Sequence, residues 1–190
     1  MRDWPRHLIA LMWLLWALYW AICAFRAKPV RARESLISRL AFVIPMVIVA
    51  LLLLLGHEGP PWLVMRVVPG GWTRFWIAVA VVAIGILFAI WARVVLGGNW
   101  SGAVTIKEGH ELIDRGPYRR IRHPIYTGLL CSVLGTGLAA GRVSGLLAFV
   151  IALIALLRKL RVEERFMAQE FGERYATYRQ RSWALLPWIY

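Results

Sequence analysis

The sequence predicts an all-α polytopic membrane protein, and three observations predict it. Of its 190 residues 60% are hydrophobic, far above the roughly 45–50% apolar share of a soluble domain. Apolar runs of helix-spanning length recur along the whole chain. Basic residues gather between those runs rather than inside them.

The runs predict about five transmembrane segments, at residues 8–25, 40–55, 72–96, 124–140 and 143–157. The first is rich in Trp, lacks a small-x-small cleavage site and runs into a basic stretch, so it reads as a retained helix rather than a signal peptide. The fourth and fifth are short for a span of about 20 residues. Gly141 and Arg142 join them tightly, so they read as one helical hairpin, with Gly128, Gly135, Gly137 and Gly141 letting its two helices approach. The linker 56–71 is rich in Gly and Pro and reads as a loop with an interfacial turn. After residue 158, charges alternate with Leu160, Val162, Phe166, Met167, Phe171, Tyr175 and Tyr178. That pattern predicts an amphipathic C-terminal helix continuing from the fifth segment over one membrane face.

Charge sets the expected orientation. The loops 26–39 and 97–122 and the tail from 158 hold most of the 23 Lys and Arg residues; only Arg2, Arg6, Arg66, Arg74 and Arg142 fall on the other side. The positive-inside rule then places the N-terminus outside and the C-terminus in the cytoplasm, with a bacterial inner membrane as the expected location. The net charge of +13 is thereby a topology signal and gives no reason to invoke nucleic acid. Cys23 and Cys131 lie inside apolar runs and read as packing residues. No zinc spacing, Walker loop or GxGxxG occurs, and no metal site is expected. Residues 1–71 read as an N-terminal two-helix region and 72–190 as the functional core, within one structural domain.

Two clusters carry chemistry. One is the stretch from His110 to Gly128, which enters the fourth segment as RIRHPIYTG; the other is RVEERF at 161–166, just past the fifth. A hairpin of segments four and five makes its two open ends neighbours, bringing His123 close to Glu163 and Glu164. Pro124 suits the first helical position, where its missing N–H has no partner, and it biases His123 away from helical geometry. Arg122 beside a helix N-terminus favours an anion. Plainer readings stand alongside. Arg119 and Arg120 suit topology signals that snorkel to headgroups, and Tyr118 and Tyr126 suit an interfacial belt. Glu163 suits pairing with Lys159 one turn back, and Glu164 with Arg161.

The stretch HELIDRGPYRRIRHPIYTG, followed by RVEERFMAQEFGERYATYRQ and Pro187, resembles the isoprenylcysteine carboxyl methyltransferase family, integral-membrane enzymes related to phospholipid N-methyltransferases. The shared elements are Arg122-His123-Pro124-Ile125-Tyr126-Thr127-Gly128, Glu163-Glu164, Phe171-Gly172 with Tyr175 and Tyr178, and the LGGNWS stretch, covering roughly residues 75–190. The resemblance implies an S-adenosylmethionine-dependent methyltransferase without a Rossmann domain. It implies that Arg122, His123, Pro124, Tyr126, Gly128, Glu163 and Glu164 line the cofactor, with His110 as a further candidate. Glu164 would also orient the cofactor toward the acceptor. A basic residue ahead of the acidic pair would position an acceptor carboxylate, with Arg161 the first choice and Lys159 the rival. The implied partner is a lipophilic or lipid-modified acceptor reaching the site from the bilayer. Three alternatives remain open: a membrane-embedded NADPH-dependent reductase of the sterol type, a phospholipid N-methyltransferase, and a scaffold subunit without activity.

Overall fold

A computed structural model describes residues 4–24, 30–100, 105–107 and 112–187. Helix α1 covers Trp4–Ala24, α2 Leu36–Leu55, α4 Trp72–Leu96, α5 Pro124–Ala140 and α6 Val143–Phe171, with a short α3 at Pro61–Val64 and α7 at Glu173–Gln180. Among the described residues, α1, α2, α4 and α6 are long and apolar enough to cross a membrane, and α5 is a shorter apolar helix. The chain is an integral membrane protein, helical as its hydrophobic pattern requires. Many large apolar side chains stay bare on the outer faces of α1, α2 and α4, where lipid would cover them.

Local chemistry sets the helix ends. The Ser35 side chain accepts from Ser38 N at 3.2 Å, which starts α2 at Leu36, four residues earlier than its apolar run suggests. Helix α4 and helix α5 occupy the lengths expected from sequence. Gly141 ends α5 in the left-handed region at φ 61°, a conformation that favours glycine. Helix α6 runs for 29 residues, about 44 Å at 1.5 Å per residue. That exceeds a hydrocarbon core of roughly 30 Å, so its end from about Arg158 projects beyond the bilayer. Gly172, at φ 51°, breaks it from α7.

The glycines divide their work differently from the expected hairpin. A Cβ on Gly128 would stand 2.5 Å from Gly85 O and 2.8 Å from Ala89 N, both on α4. A Cβ on Gly135 would stand 2.8 Å from a Val82 methyl, also on α4. Only Gly137 faces α6, with its Cβ position 2.8 Å from Gly145 O. Helix α5 therefore lies backbone to backbone against α4, and α6 packs against both α5 and α2. The α5–α6 turn is held from α4 as well: Arg74 donates to Val68 O at 2.9 Å and to Ala139 O at 3.3 Å.

A two-stranded antiparallel ribbon, β1 at Val30–Arg33 and β2 at Thr105–Lys107, joins the two basic loops. The hydrophobic pattern gave no sign of it, because strands this short have too few residues to show a period. His110 lies outside the described residues.

Gly85→Ala places a methyl 2.5 Å from Gly128 O and 2.4 Å from Ser132 Oγ. Overpacking of this kind costs about 1–3 kcal/mol. The detergent-purified variant should melt several degrees below the wild type; an unchanged melting temperature would mean that α4 and α5 are not in backbone contact.

Candidate functional site

The site is built where α5 begins. Pro124 opens the helix, and His123 precedes it with φ −123° and ψ 58°. The amides of Tyr126 and Thr127 donate to His123 O at 3.0 and 3.1 Å, closing the first turn around it. The nonhelical backbone at His123 directs its ring across the helix entrance, as the preceding-proline constraint favours. The His123 and Tyr126 rings lie stacked, 5.5 Å between centroids and 3° from parallel.

The projecting end of α6 brings two consecutive carboxylates to these groups. Tyr126 donates its hydroxyl hydrogen to Glu163 Oε1. His123 Nδ1 stands 3.4 Å from Glu163 Oε2, and its Nε2 stands 3.5 Å from Glu164 Oε1. Arg122 Nε donates to Glu164 Oε1 at 2.8 Å, and Arg179 of α7 lies 3.9 Å from Glu164 Oε2. Glu163 and Glu164 thus turn toward α5 and α7 rather than pairing only along their own helix. The ion-pair contact at His123 Nε2 lacks hydrogen-bond geometry, leaving a buried polar atom without a hydrogen-bond partner. Burial pushes the His123 pKa down, but the adjacent Glu163 and Glu164 carboxylates outweigh it and raise it above the ordinary imidazole value.

A C-terminal strap closes the outer side. Trp183 N donates to Arg120 O, and Arg122 N to Trp183 O, both at 2.8 Å; His123 N donates to Ala184 O at 3.0 Å. Thr127 Oγ1 donates to Leu185 O at 2.7 Å, and Arg122 Nη1 donates to Ser182 O. Tyr178 donates to Tyr118 O at 2.6 Å; burial raises its hydroxyl pKa and keeps the donor protonated. Beyond Arg122, an open cleft of about 430 Å³ is lined by Ala176, Arg179, Gln180, Ser182, Trp183 and Ala184.

The two basic candidates on α6 diverge. Lys159 is buried, with its ammonium 4.1 Å from the centroid of the Phe42 ring and 5.9 Å from that of Tyr126. Arg161 is exposed. Helical spacing held the signal: Lys159 is one turn from Glu163 and shares its face, whereas Arg161 is two residues on and faces away. Gly128 also departs from its expected role, because α4 fills the space beside it. Pro124 is fully buried and shapes the helix start. Thr127, Arg179, Ser182 and Trp183 join the site unannounced, since backbone pairing by a C-terminal strap leaves no side-chain motif.

With this geometry in view, the comparisons with known proteins become specific. The phospholipid methyltransferase family model matches residues 73–174. The chain belongs to this family. A probable protein-S-isoprenylcysteine O-methyltransferase of Oryza sativa subsp. indica is 31% identical over 121 residues, covering 62% of this chain and 63% of that protein. The cobalt-zinc-cadmium resistance protein CzcN of Cupriavidus metallidurans is 31% identical over 119 residues, covering 61% of this chain and 53% of its own. The match thus spans less than two thirds of either relative. A solved structure of the eukaryotic intramembrane Ras methyltransferase, an isoprenylcysteine carboxyl methyltransferase, superposes with a TM-score of 0.57 at 21% identity, over 78% of this chain and 52% of that one. That likeness is one of fold. It agrees with the resemblance carried by the motifs, and the core common to the family holds α4, α5, α6 and the start of α7.

Because its pKa is raised on folding, the His123 ion pair stabilises the fold fully below the unfolded imidazole pKa of about 6.5. That contribution is lost as pH rises through the folded value. Melting temperature should therefore fall with rising pH above about 6.5 more steeply in the wild type than in His123→Gln. Parallel pH profiles would remove the ion pair from the account.

Proposed function

We propose that this chain is an integral-membrane S-adenosylmethionine-dependent methyltransferase that esterifies a carboxylate on a lipophilic acceptor. One observation carries the reading: Glu163 and Glu164 converge with Arg122, His123 and Tyr126 at the mouth of α5, around a buried His123 Nε2 without a hydrogen-bond partner. The family membership supports it, and the name of the Oryza relative points the same way.

This donor set suits the cofactor. Glu163 and Glu164 offer carboxylates for its ammonium and sulfonium charges, Arg122 a guanidinium for its carboxylate, and His123 a polar atom that a bound group would satisfy. Bound S-adenosylmethionine would supply an activated methyl group for transfer to an acceptor oxygen, with the electron pair of the carbon–sulfur bond left on sulfur. A carboxylate nucleophile needs no general base, so the residues have to align the reactants and exclude water. Lys159, buried beside Tyr126, is the basic group suited to hold the acceptor carboxylate; the exposed Arg161 is not. The stacked His123 and Tyr126 rings hold each other and the Glu163 carboxylate in place beside Lys159. The basic loops and tail support a cytoplasmic position for this end of the bundle, where the soluble cofactor would be found, with the acceptor arriving through the bilayer.

A second reading, methylation of a phospholipid amine, draws on the family match and on the His123–Glu163 pair. An amine must lose a proton, and that pair is placed to accept one.

Calorimetric titration of the purified protein with S-adenosylhomocysteine should show saturable binding, and titration with NADPH none. Glu164→Ala and His123→Ala should each weaken S-adenosylhomocysteine at least tenfold without loss of fold. The reverse pattern, NADPH alone binding, would move the protein to the reductases. Labelled-methyl transfer to lipid acids but not lipid amines separates the two acceptor readings. Lys159→Met should lose that transfer and retain the cofactor analogue, while Arg161→Ala should retain both.

A further inference from the structure

Helix α2 lies outside the family match at 73–174, yet it reaches the candidate site at one point. Phe42 places its ring 4.1 Å from the Lys159 ammonium, on a lysine that is only 6% exposed. Tyr126, the other ring near that ammonium, is tied to Glu163. Lys159 thus stands between two aromatic faces: Tyr126 toward the carboxylate pair and Phe42 toward α2. Phe42 is itself half-buried, packed on the core cluster that holds Val49, Leu156 and Leu160. The residues flanking it turn the other way: Leu40 and Val43 are bare on the lipid-facing side of α2, as is Ile37 at 79% exposure.

This arrangement has a consequence for any acceptor with a charged head and an apolar chain. A carboxylate held by Lys159 must carry its first apolar atoms past the groups that crowd the ammonium. Phe42 is a large, rigid ring in that position, and it is contributed by the helix whose opposite side meets the bilayer. A ring there excludes water from the ion pair and limits the width of whatever adjoins the carboxylate. A cation is attracted to an aromatic face, so the ring also fixes where the ammonium sits.

We propose that α2 is the acceptor-selecting element of the site and that Phe42 discriminates among acceptors by the apolar group adjoining their carboxylate. This rests on the methyltransferase reading above. It assigns selectivity to a helix outside the segment shared with the family, while the cofactor-facing residues belong to that segment.

The test measures binding rather than turnover. Purified protein saturated with S-adenosylhomocysteine is titrated with three acids of equal carbon count that differ only beside the carboxylate, hexadecanoic, 2-methylpentadecanoic and 2,2-dimethyltetradecanoic acid, and with the methyl ester of hexadecanoic acid, which lacks the carboxylate. The wild type should prefer the acid to its ester, and Lys159→Met should abolish that preference while leaving S-adenosylhomocysteine affinity within about twofold. Phe42→Ala should change the ratio of dimethyl-branched to unbranched affinity at least tenfold, with S-adenosylhomocysteine affinity again within twofold; Phe42→Leu should fall between. A loss of stability alone would weaken all three probes equally and leave their ratios fixed. Unchanged ratios, a uniform loss across the probes, or no probe binding to a wild type that still binds S-adenosylhomocysteine would each overturn the assignment to Phe42. If the wild type fails to bind S-adenosylhomocysteine, the methyltransferase reading falls, and the assignment falls with it.

Discussion

Burying two adjacent carboxylates is costly unless each is given a positive or hydrogen-bonding partner, and meeting that demand organises this end of the bundle. Glu163 takes the Tyr126 hydroxyl and one edge of the His123 ring; Glu164 takes Arg122 and the other edge. All three partners come from the start of α5, within one turn of each other. The acid pair comes from a helix that keeps its axis past the membrane, so its placement follows from the rigidity of α6. If α6 ended where its apolar run ends, near Leu157, the carboxylates would sit on a loop and the partners on α5 would be unmatched charges.

Two helix contacts keep that match in register. Helix α5 is pinned to α4 through Gly85 and Gly128, where there is room for backbone and nothing more. Helix α6 approaches α5 through Gly137 and Gly145 at the opposite end. The two helices therefore meet closely at their connected ends and diverge toward the site, leaving width for side chains. Gly128 has its place in the motif for this reason: a side chain there would drive α5 off α4 and carry His123 away from the acid pair.

The sequence made some of this legible and concealed the rest for identifiable reasons. The bounds of α4 and α5 could be read because apolar runs end at glycine, proline or charge. The meeting of His123 with Glu163 and Glu164 could be read because a tight turn at Gly141 constrains where both helix ends go. Which helix receives each glycine could not, since a small residue marks a close contact without naming the partner. The strap at residues 182–185 was invisible because it binds mainly through its backbone, which any sequence supplies. Proximity along the chain to the acidic pair favours Arg161, whereas the helical angle buries Lys159 on the face of Glu163 and leaves Arg161 exposed, a difference available in the spacing.

The site consequently has two halves with different origins. The half built on the acidic pair is made of residues within the family-matched segment, joined by charge and hydrogen bonds that tolerate little change. The half around Lys159 includes an aromatic ring from α2, joined to the rest by packing and by one cation–aromatic contact. Packing contacts accept substitution of similar volume far more readily than a buried charge accepts loss of its partner. A fold arranged this way can keep its charged cluster constant while the apolar wall beside Lys159 is altered.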